Sequence, residues 1–282
     1  MSIFFYLFVI LFLIAYPADT AQSALEAMRI WSVSIVPVLF PYMLFSRLLC
    51  RSLQTLNLPA EPATAALGLL GGSPSGAAMI ASHVHSLSPK SIYPLCAIAG
   101  TISPMFILGT IRTWTNSEPL SRRLLFCHWL CALFCAGIAC CKRPSKAHKT
   151  PLPLATDSAA GPVAQSIDAI LQVGGCIISY SVLASITAKC LHPFSFVHPL
   201  VHAALEISGG AHAIWQSSLS TTAKAILLSA ALGFGGLSII TQNHALLKPI
   251  GISMGTLIRF ALLRCLLSAA FMALSLALFP FS

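Results

Sequence analysis

The sequence predicts an all-α, multi-pass membrane protein, and two observations carry that expectation. Of the 282 residues, 57% are hydrophobic and only 8% are charged, against roughly 25% charged in ordinary soluble domains. Too little charge remains to coat a water-soluble globule. The second observation is a set of apolar runs at 2–16, 30–49, 91–111, 124–141, 169–188 and 252–281, each near the ~20 residues a helix needs to cross hydrocarbon. No ten-residue alternation of the barrel type recurs. Backbone groups in lipid are satisfied only within helices or closed barrels, so the runs are expected to be helices.

Taken in order, residues 1–27 are expected to hold a first transmembrane helix and a short loop. The stretch MSIFFYLFVILFLIAY has no Lys or Arg ahead of its apolar core, unlike a secretory signal, so a retained helix is expected. Residues 28–141 form a first half and 165–282 a second. Between them, 142–164 reads as an exposed basic linker, because KRPSKAHKTPLPLATDSAAGP (142–162) is basic, then Pro- and Ser-rich, and lacks apolar periodicity. The net charge of +9 lies mainly beside apolar segments, at Arg122, Arg123, Lys142, Arg143, Lys146 and Lys149. That is the pattern of topology signals and headgroup contacts, so the lipid bilayer is the expected partner and nucleic acid is not. Basic residues stand at both ends of 124–141, which leaves the sidedness open.

Two apolar segments are interrupted by glycine and polar residues. In LGLLGGSPSGAAMIASHV (67–84), Gly72 and Gly76 let backbone approach a ligand, Pro74 stops the helix, and Ser73 and Ser75 supply hydroxyls. In AALGFGGLSIITQNHALLK (230–248), Gly235 and Gly236 repeat that logic. A helix starting near Leu237 would put Ser238 on one face with Thr241 and Gln242. Irregular backbone at membrane depth is tolerated where it is buried in protein or lines a wet cavity, and a helix restarting there aims its positive amide end inward. Such a place suits an anion. Close helix packing through small residues, or a polar surface loop over 243–248, is the alternative for each.

GTISPMFILGT (100–110) carries Thr101, Ser103 and Pro104 inside a third apolar stretch and reads as another broken helix. Short, Gly- or Pro-broken segments at matching places in two halves point to a transporter's substrate site. If the linker is cytoplasmic and both interrupted segments are re-entrant hairpins, four crossings precede it and the halves are inverted. Glu206 is the one acid in an apolar stretch of the second half, and it is expected to couple or gate, or else to pair with Arg259 or Arg264. Arg264 lies deeper in the last run and snorkels less readily, so it is the expected source of positive charge for substrate. Cys127, Cys131 and Cys135 recur every four residues and read as small packing residues on one helix face. His83 and His85 lack further ligands, so no metal and no cofactor are expected. GxSxG, P-loop and HExxH signatures are absent, so no enzyme is expected.

Four stretches in order, IWSVSIVPVLFPYMLFSRLL, GGSPSGAAMIASHV with ISPMFILGT, AALEISGG, and GFGGLSIITQ, resemble the sporulation integral membrane proteins that carry the nucleoside-recognition, or Gate, domain. The resemblance spans nearly the whole chain from Met28. Four positions depart from the family pattern: Ser73 stands where an aromatic is usual, Gly100 and Thr101 where asparagines are usual, and Ile240 where a histidine is usual. The resemblance implies a transporter-like fold of two inverted halves and movement of dipicolinic acid into the developing spore. The expectation is therefore a carrier or facilitator of a small organic anion. Substrate would meet Gly72, Ser73, Pro74, Ser75, Gly76, Thr101, Ser103, Gly235, Gly236, Ser238, Gln242 and Arg264. A non-transporting scaffold, and a nucleoside or ion transporter of the same fold, are the rival expectations, and homo-oligomerisation stays open.

Overall fold

The computed structural model describes residues 2–54, 60–140, 161–190 and 197–280. Among these residues there is no strand. The helices in order are α1 (Ser2–Ala15), α2 (Pro17–Arg29), α3 (Val36–Gln54), α4 (Ala60–Gly71), α5 (Ser75–His83), α6 (Pro89–Ala99), α7 (Arg112–Thr115) and α8 (Glu118–Cys140). They continue with α9 (Pro162–Cys190), α10 (His198–Leu205), α11 (Ile207–Gln216), α12 (Thr221–Phe234), α13 (Gly236–Leu247) and α14 (Met254–Leu278). Wide π-helical turns occupy Ile30–Ile35, between α2 and α3, and Phe106–Ile111, ahead of α7. The linker expected at 142–164 lies almost wholly outside the described residues.

Among the described residues, five helical stretches are long and apolar enough to span a membrane: Pro17–Leu49, Glu118–Cys140, Pro162–Cys190, Thr221–Ile250 and Met254–Leu278. The distribution of polarity agrees with lipid as the outer solvent. Phe126, Leu133, Phe134 and Ile138 on α8 and Leu262, Leu266, Leu274 and Leu278 on α14 face outward. Ser121, His128, Ser229, Arg264 and Ser268 are buried on the same helices or on α12. In water, contiguous outward apolar faces of this size would be an association hazard. In lipid they cost nothing, and the protein is a multi-pass integral membrane protein.

Two expected boundaries move. The short loop expected after the first helix is helical, because Pro17 sits at the first turn of α2, where its missing N–H is harmless. The run at 91–111 is not one spanning helix. α6 ends at Ala99, the chain is irregular through Gly100–Ser103, and helix resumes near Pro104. Pro104 lacks an N–H and cannot continue a helix begun upstream, but it can open a new one.

The element order runs twice through one pattern. In the first part, α2–α3 is long, α4/α5 breaks at Gly72–Pro74, α6 breaks at Gly100–Ser103, and α8 is long. In the second, α9 is long, α10/α11 breaks at Glu206, α12/α13 breaks at Gly235, and α14 is long. By position the Ser73 break therefore answers to Glu206, and the Gly235 break answers to Gly100–Ser103. That differs from the pairing of 67–84 with 230–248 expected from glycine content alone.

The breaks cross in pairs. At Gly72 φ is +62°, and a Cβ would lie 2.4 Å from Ser103 N, so the α4/α5 break presses backbone against the α6 break. Ser73 N donates to Thr101 O at 2.7 Å across the same contact. At Gly236 φ is +83°, and a Cβ would lie 3.2 Å from Ile207 N, against the α10/α11 break. Only glycine meets both demands without strain.

Away from the crossings, Trp31 Nε1 donates to Ile170 O at 3.2 Å and ties the first π turn to α9. Ser229 Oγ donates to Ser268 O at 2.9 Å between α12 and α14, a polar clasp typical of helix contacts in lipid. Outside the candidate spans, Ser88 N donates to Glu61 Oε1 at 3.0 Å, which holds that carboxyl below its usual range.

Gly72→Ala should therefore unfold or misassemble the protein at lower temperature than Gly68→Ala, where a Cβ has 3.6 Å of room. The penalty of the first is of order 1–3 kcal/mol or more from the left-handed backbone alone. Paired thermal melts in detergent check it.

Candidate functional site

Where the four breaks converge, the chain forms a cavity of about 60 Å³. The first break contributes Ser73, Pro74 and Ser75, the second Ser103, the third Glu206 and Ser208, and the segment just past the fourth Ser238 and Gln242. Apolar walls come from α3, α9 and the two π turns, including Leu39, Ile177, Ile35 and Phe106. The π turns are held together by Thr110 Oγ1, which donates to Ser34 O at 3.1 Å. Wide turns of this kind recur at functional sites because they displace side chains from regular helical positions.

Each break satisfies its backbone differently. Glu206 is 1% exposed and caps α11: its Oε1 accepts from Ser208 N at 2.8 Å and its Oε2 from Gly209 N at 2.7 Å. Ser103 Oγ accepts from Phe106 N at 3.3 Å where helix resumes after the second break. The helices α5 and α13 begin without any side-chain cap. The amide ends of helices carry partial positive charge, and Ser75 and Ser238 in the first turns of these two line the cavity.

Arg264 does not line the cavity, contrary to the expected substrate contact, and it does not pair with Glu206. It is 3% exposed, donates through Nε to Gly233 O at 3.2 Å and through a terminal nitrogen to Ala97 O at 3.0 Å. Those carbonyls belong to the last turns of α12 and α6, the negative ends of two broken helices. A guanidinium there answers both helix dipoles and unpaired carbonyls. This is where the charge is needed, since each carbonyl left bare in hydrocarbon costs several kcal/mol.

Of the other expected residues, Ser73, Pro74, Ser75, Ser103, Ser238, Gln242 and Glu206 meet at one cavity. Gly72, Gly76, Gly235 and Gly236 shape the breaks rather than the lining. Thr101 turns away, its Oγ1 donating to Ile98 O at 2.8 Å. Thr241 leaves the face expected for it with Ser238 and Gln242, and accepts from Tyr180 of α9 at 3.1 Å.

Asn243, which the alternative reading put in a polar surface loop, is buried, and Ser73 Oγ donates to its Oδ1 at 2.7 Å across 170 residues. His128 was not singled out from sequence. Ile102 N donates to its Nε2 at 3.0 Å, so that nitrogen is bare and the ring serves the second break as an acceptor. A lone histidine inside an apolar helix was its only signal. Cys127, Cys131 and Cys135 are buried on one face of α8, and no cluster of three or more metal-ligating side chains occurs among the described residues.

No known family profile and no solved structure matches the chain. The sporulation integral membrane protein YlbJ of Bacillus subtilis (strain 168) is 23% identical over an alignment of 330 positions, covering 96% of this chain and 81% of that protein. The chain is a membrane protein related to a sporulation integral membrane protein. The likeness runs almost end to end.

The cap geometry yields a direct test. Glu206→Ala removes an N-cap worth roughly 0.5–2 kcal/mol. Amide hydrogen exchange over 207–211 should rise several-fold in that variant, while Glu206→Gln, which keeps one acceptor oxygen, shows a smaller rise.

Proposed function

We propose that the protein is a transporter or facilitator that carries a small organic anion across the membrane, with the solute held where the four breaks converge. The observation that carries this reading is the cavity's lining: seven polar residues, Ser73, Ser75, Ser103, Glu206, Ser208, Ser238 and Gln242, border one space inside an apolar bundle. A merely structural core has no reason to gather them, because polar groups at membrane depth are expensive and collect along solute paths.

The charge balance supports an anion. Glu206 gives its two oxygens to the amides of α11, which leaves the uncapped amide ends of α5 and α13 to a ligand. The repeated order of long, broken, broken and long elements supports two inverted halves with re-entrant hairpins, rocking about the cavity to alternate access. The space of about 60 Å³ admits a few waters at ~10–15 Å³ each. A ring-sized solute enters when the halves part, and the Ser73–Asn243 bond is the contact that must open.

The name of the relative speaks of sporulation, and dipicolinic acid is the organic anion we place first. A nucleoside is the second reading, favoured by Glu206 and Gln242, which can bind hydroxyl and base groups. We read the chain as non-enzymatic, with the bilayer and the solute as its partners.

Vesicles holding purified protein should take up labelled dipicolinate saturably, tested beside nucleosides and simple dicarboxylates. Ser73→Ala and Gln242→Ala should each lower kcat/KM about tenfold, in line with ~1.4 kcal/mol per lost hydrogen bond to a charged ligand. Wild-type uptake in both of these and in Glu206→Gln, at equal protein level, refutes the site. Flat traces for every solute from folded protein favour a membrane scaffold instead.

A further inference from the structure

We propose that His198, His202 and Glu206 form a proton route along one face of α10, leading from the start of that helix to the cavity carboxylate. The route rests on the transport reading for its use, although not for its existence.

His198 and His202 are spaced by four on α10, which stacks them on one helical face ~6 Å apart. Glu206 follows four residues later at the break, its backbone extended but its N still donating to His202 O. His198 stands at the first residue of α10, and its Nε2 is buried with no hydrogen-bond partner among the described residues. A bare or protonated ring nitrogen sealed from solvent is costly unless something visits it.

His202 is the central member. Its Nε2 lies 3.5 Å from Ser181 Oγ of α9. The point where a Gly209 side chain would begin is 2.5 Å from His202 Nε2 and 3.4 Å from Glu206 Oε2. No side chain therefore stands between imidazole and carboxylate at Gly209, and the Ser181 hydroxyl beside His202 is the group placed to bridge them.

The groups around the ring are few. Glu26 on α2 is the charged side chain whose field reaches His202. Glu206 stands on the cavity side, and Cys176 of α9 lies near Glu206 and Gln242. Other ionisable groups on the packed elements are engaged elsewhere: His212 of α11 meets the Trp114 ring, and Lys224 of α12 lies over Trp215. His244 is eight residues beyond Gly236, ~12 Å along α13 from its contact with the α10/α11 break.

The transfer is a simple relocation. His202 as imidazolium gives its Nε2 proton to the Ser181 hydroxyl, which passes its own proton to Glu206 Oε2. An N–H bond breaks, an O–H bond forms, the ring becomes neutral, and so does the carboxylate. His198 or water on the Glu26 side then reprotonates His202. Neutralising Glu206 removes the negative charge facing the cavity, so each proton that arrives favours an anion there. Coupling of proton and anion follows from electrostatics alone, and uptake rises as the feeding side is acidified.

The experiment is a pH jump on the full-length protein in lipid, followed by infrared absorption of protonated carboxyl groups. The Glu206 band is the one lost in Glu206→Gln. In His202→Gln and in Ser181→Ala its rise should slow by about tenfold or more, equivalent to ~1.4 kcal/mol of barrier, with His198→Gln slowed less. Thermal melts identify misfolded variants, and Ser181→Ala keeps the test decisive if His202→Gln fails to fold. A Glu206 band that rises at the wild-type rate in the folded variants overturns the route, as does a carboxyl that never titrates between pH 4 and pH 9. If no solute is taken up yet the band slows as expected, the transport reading falls and the route stands. Saturable uptake indifferent to pH, with unchanged band kinetics, leaves the transport reading standing and removes the route.

Discussion

Everything distinctive in this structure depends on one constraint: backbone amides and carbonyls freed at a helix break have no water to turn to inside a membrane. Four breaks are present among the described residues; Glu206 closes its own, and the other three are closed by partners from elsewhere in the chain. Glu206 caps α11, Thr101 O accepts from Ser73 N, Ile102 N finds His128, and Arg264 takes carbonyls from α6 and α12 together. Because Ala97 lies in the first part of the chain and Gly233 and Arg264 in the second, the cost of breaking helices is met only when the two parts assemble.

The same accounting explains why the cavity sits where it does. Broken helices end in unlike poles, and the chain separates them. Carbonyl ends of α6 and α12 turn toward the Arg264 guanidinium, while amide ends of α5 and α13 remain uncapped near Ser75 and Ser238. The positive ends thus have first turns that reach the cavity, and the negative ends face a buried cation. A bundle of unbroken helices has neither feature, and its interior fills with apolar side chains, as the layers around Leu120, Leu124, Leu228 and Leu232 do.

The membrane class and most of the helices were legible in the sequence, since charge content and run length report the solvent directly. The serines of GGSPSG and of GGLS, with Gln242 and Glu206, were legible as site candidates because polar residues and helix breakers coincide there. Arg264 was legible as unusual and yet misread. Its depth in an apolar run says that it must be satisfied, whereas nothing local says by what, and its acceptors are backbone carbonyls 31 and 167 residues away. Asn243 and His128 were missed for a related reason, as their partners are a serine 170 residues distant and a backbone amide on another helix.

By itself the sequence determined that this chain lives in lipid, that its segments are helical, and that some of those helices must break, because hydrophobicity, glycine and proline act through local physics. Which break crosses which, which polar groups share a cavity, and which merely close the backbone were decided by tertiary structure. Gly72 against Ser103, Gly236 against Ile207 and Arg264 between α6 and α12 are contacts between distant segments. A hydrogen bond or a close approach is defined by position in space, and composition carries no record of it.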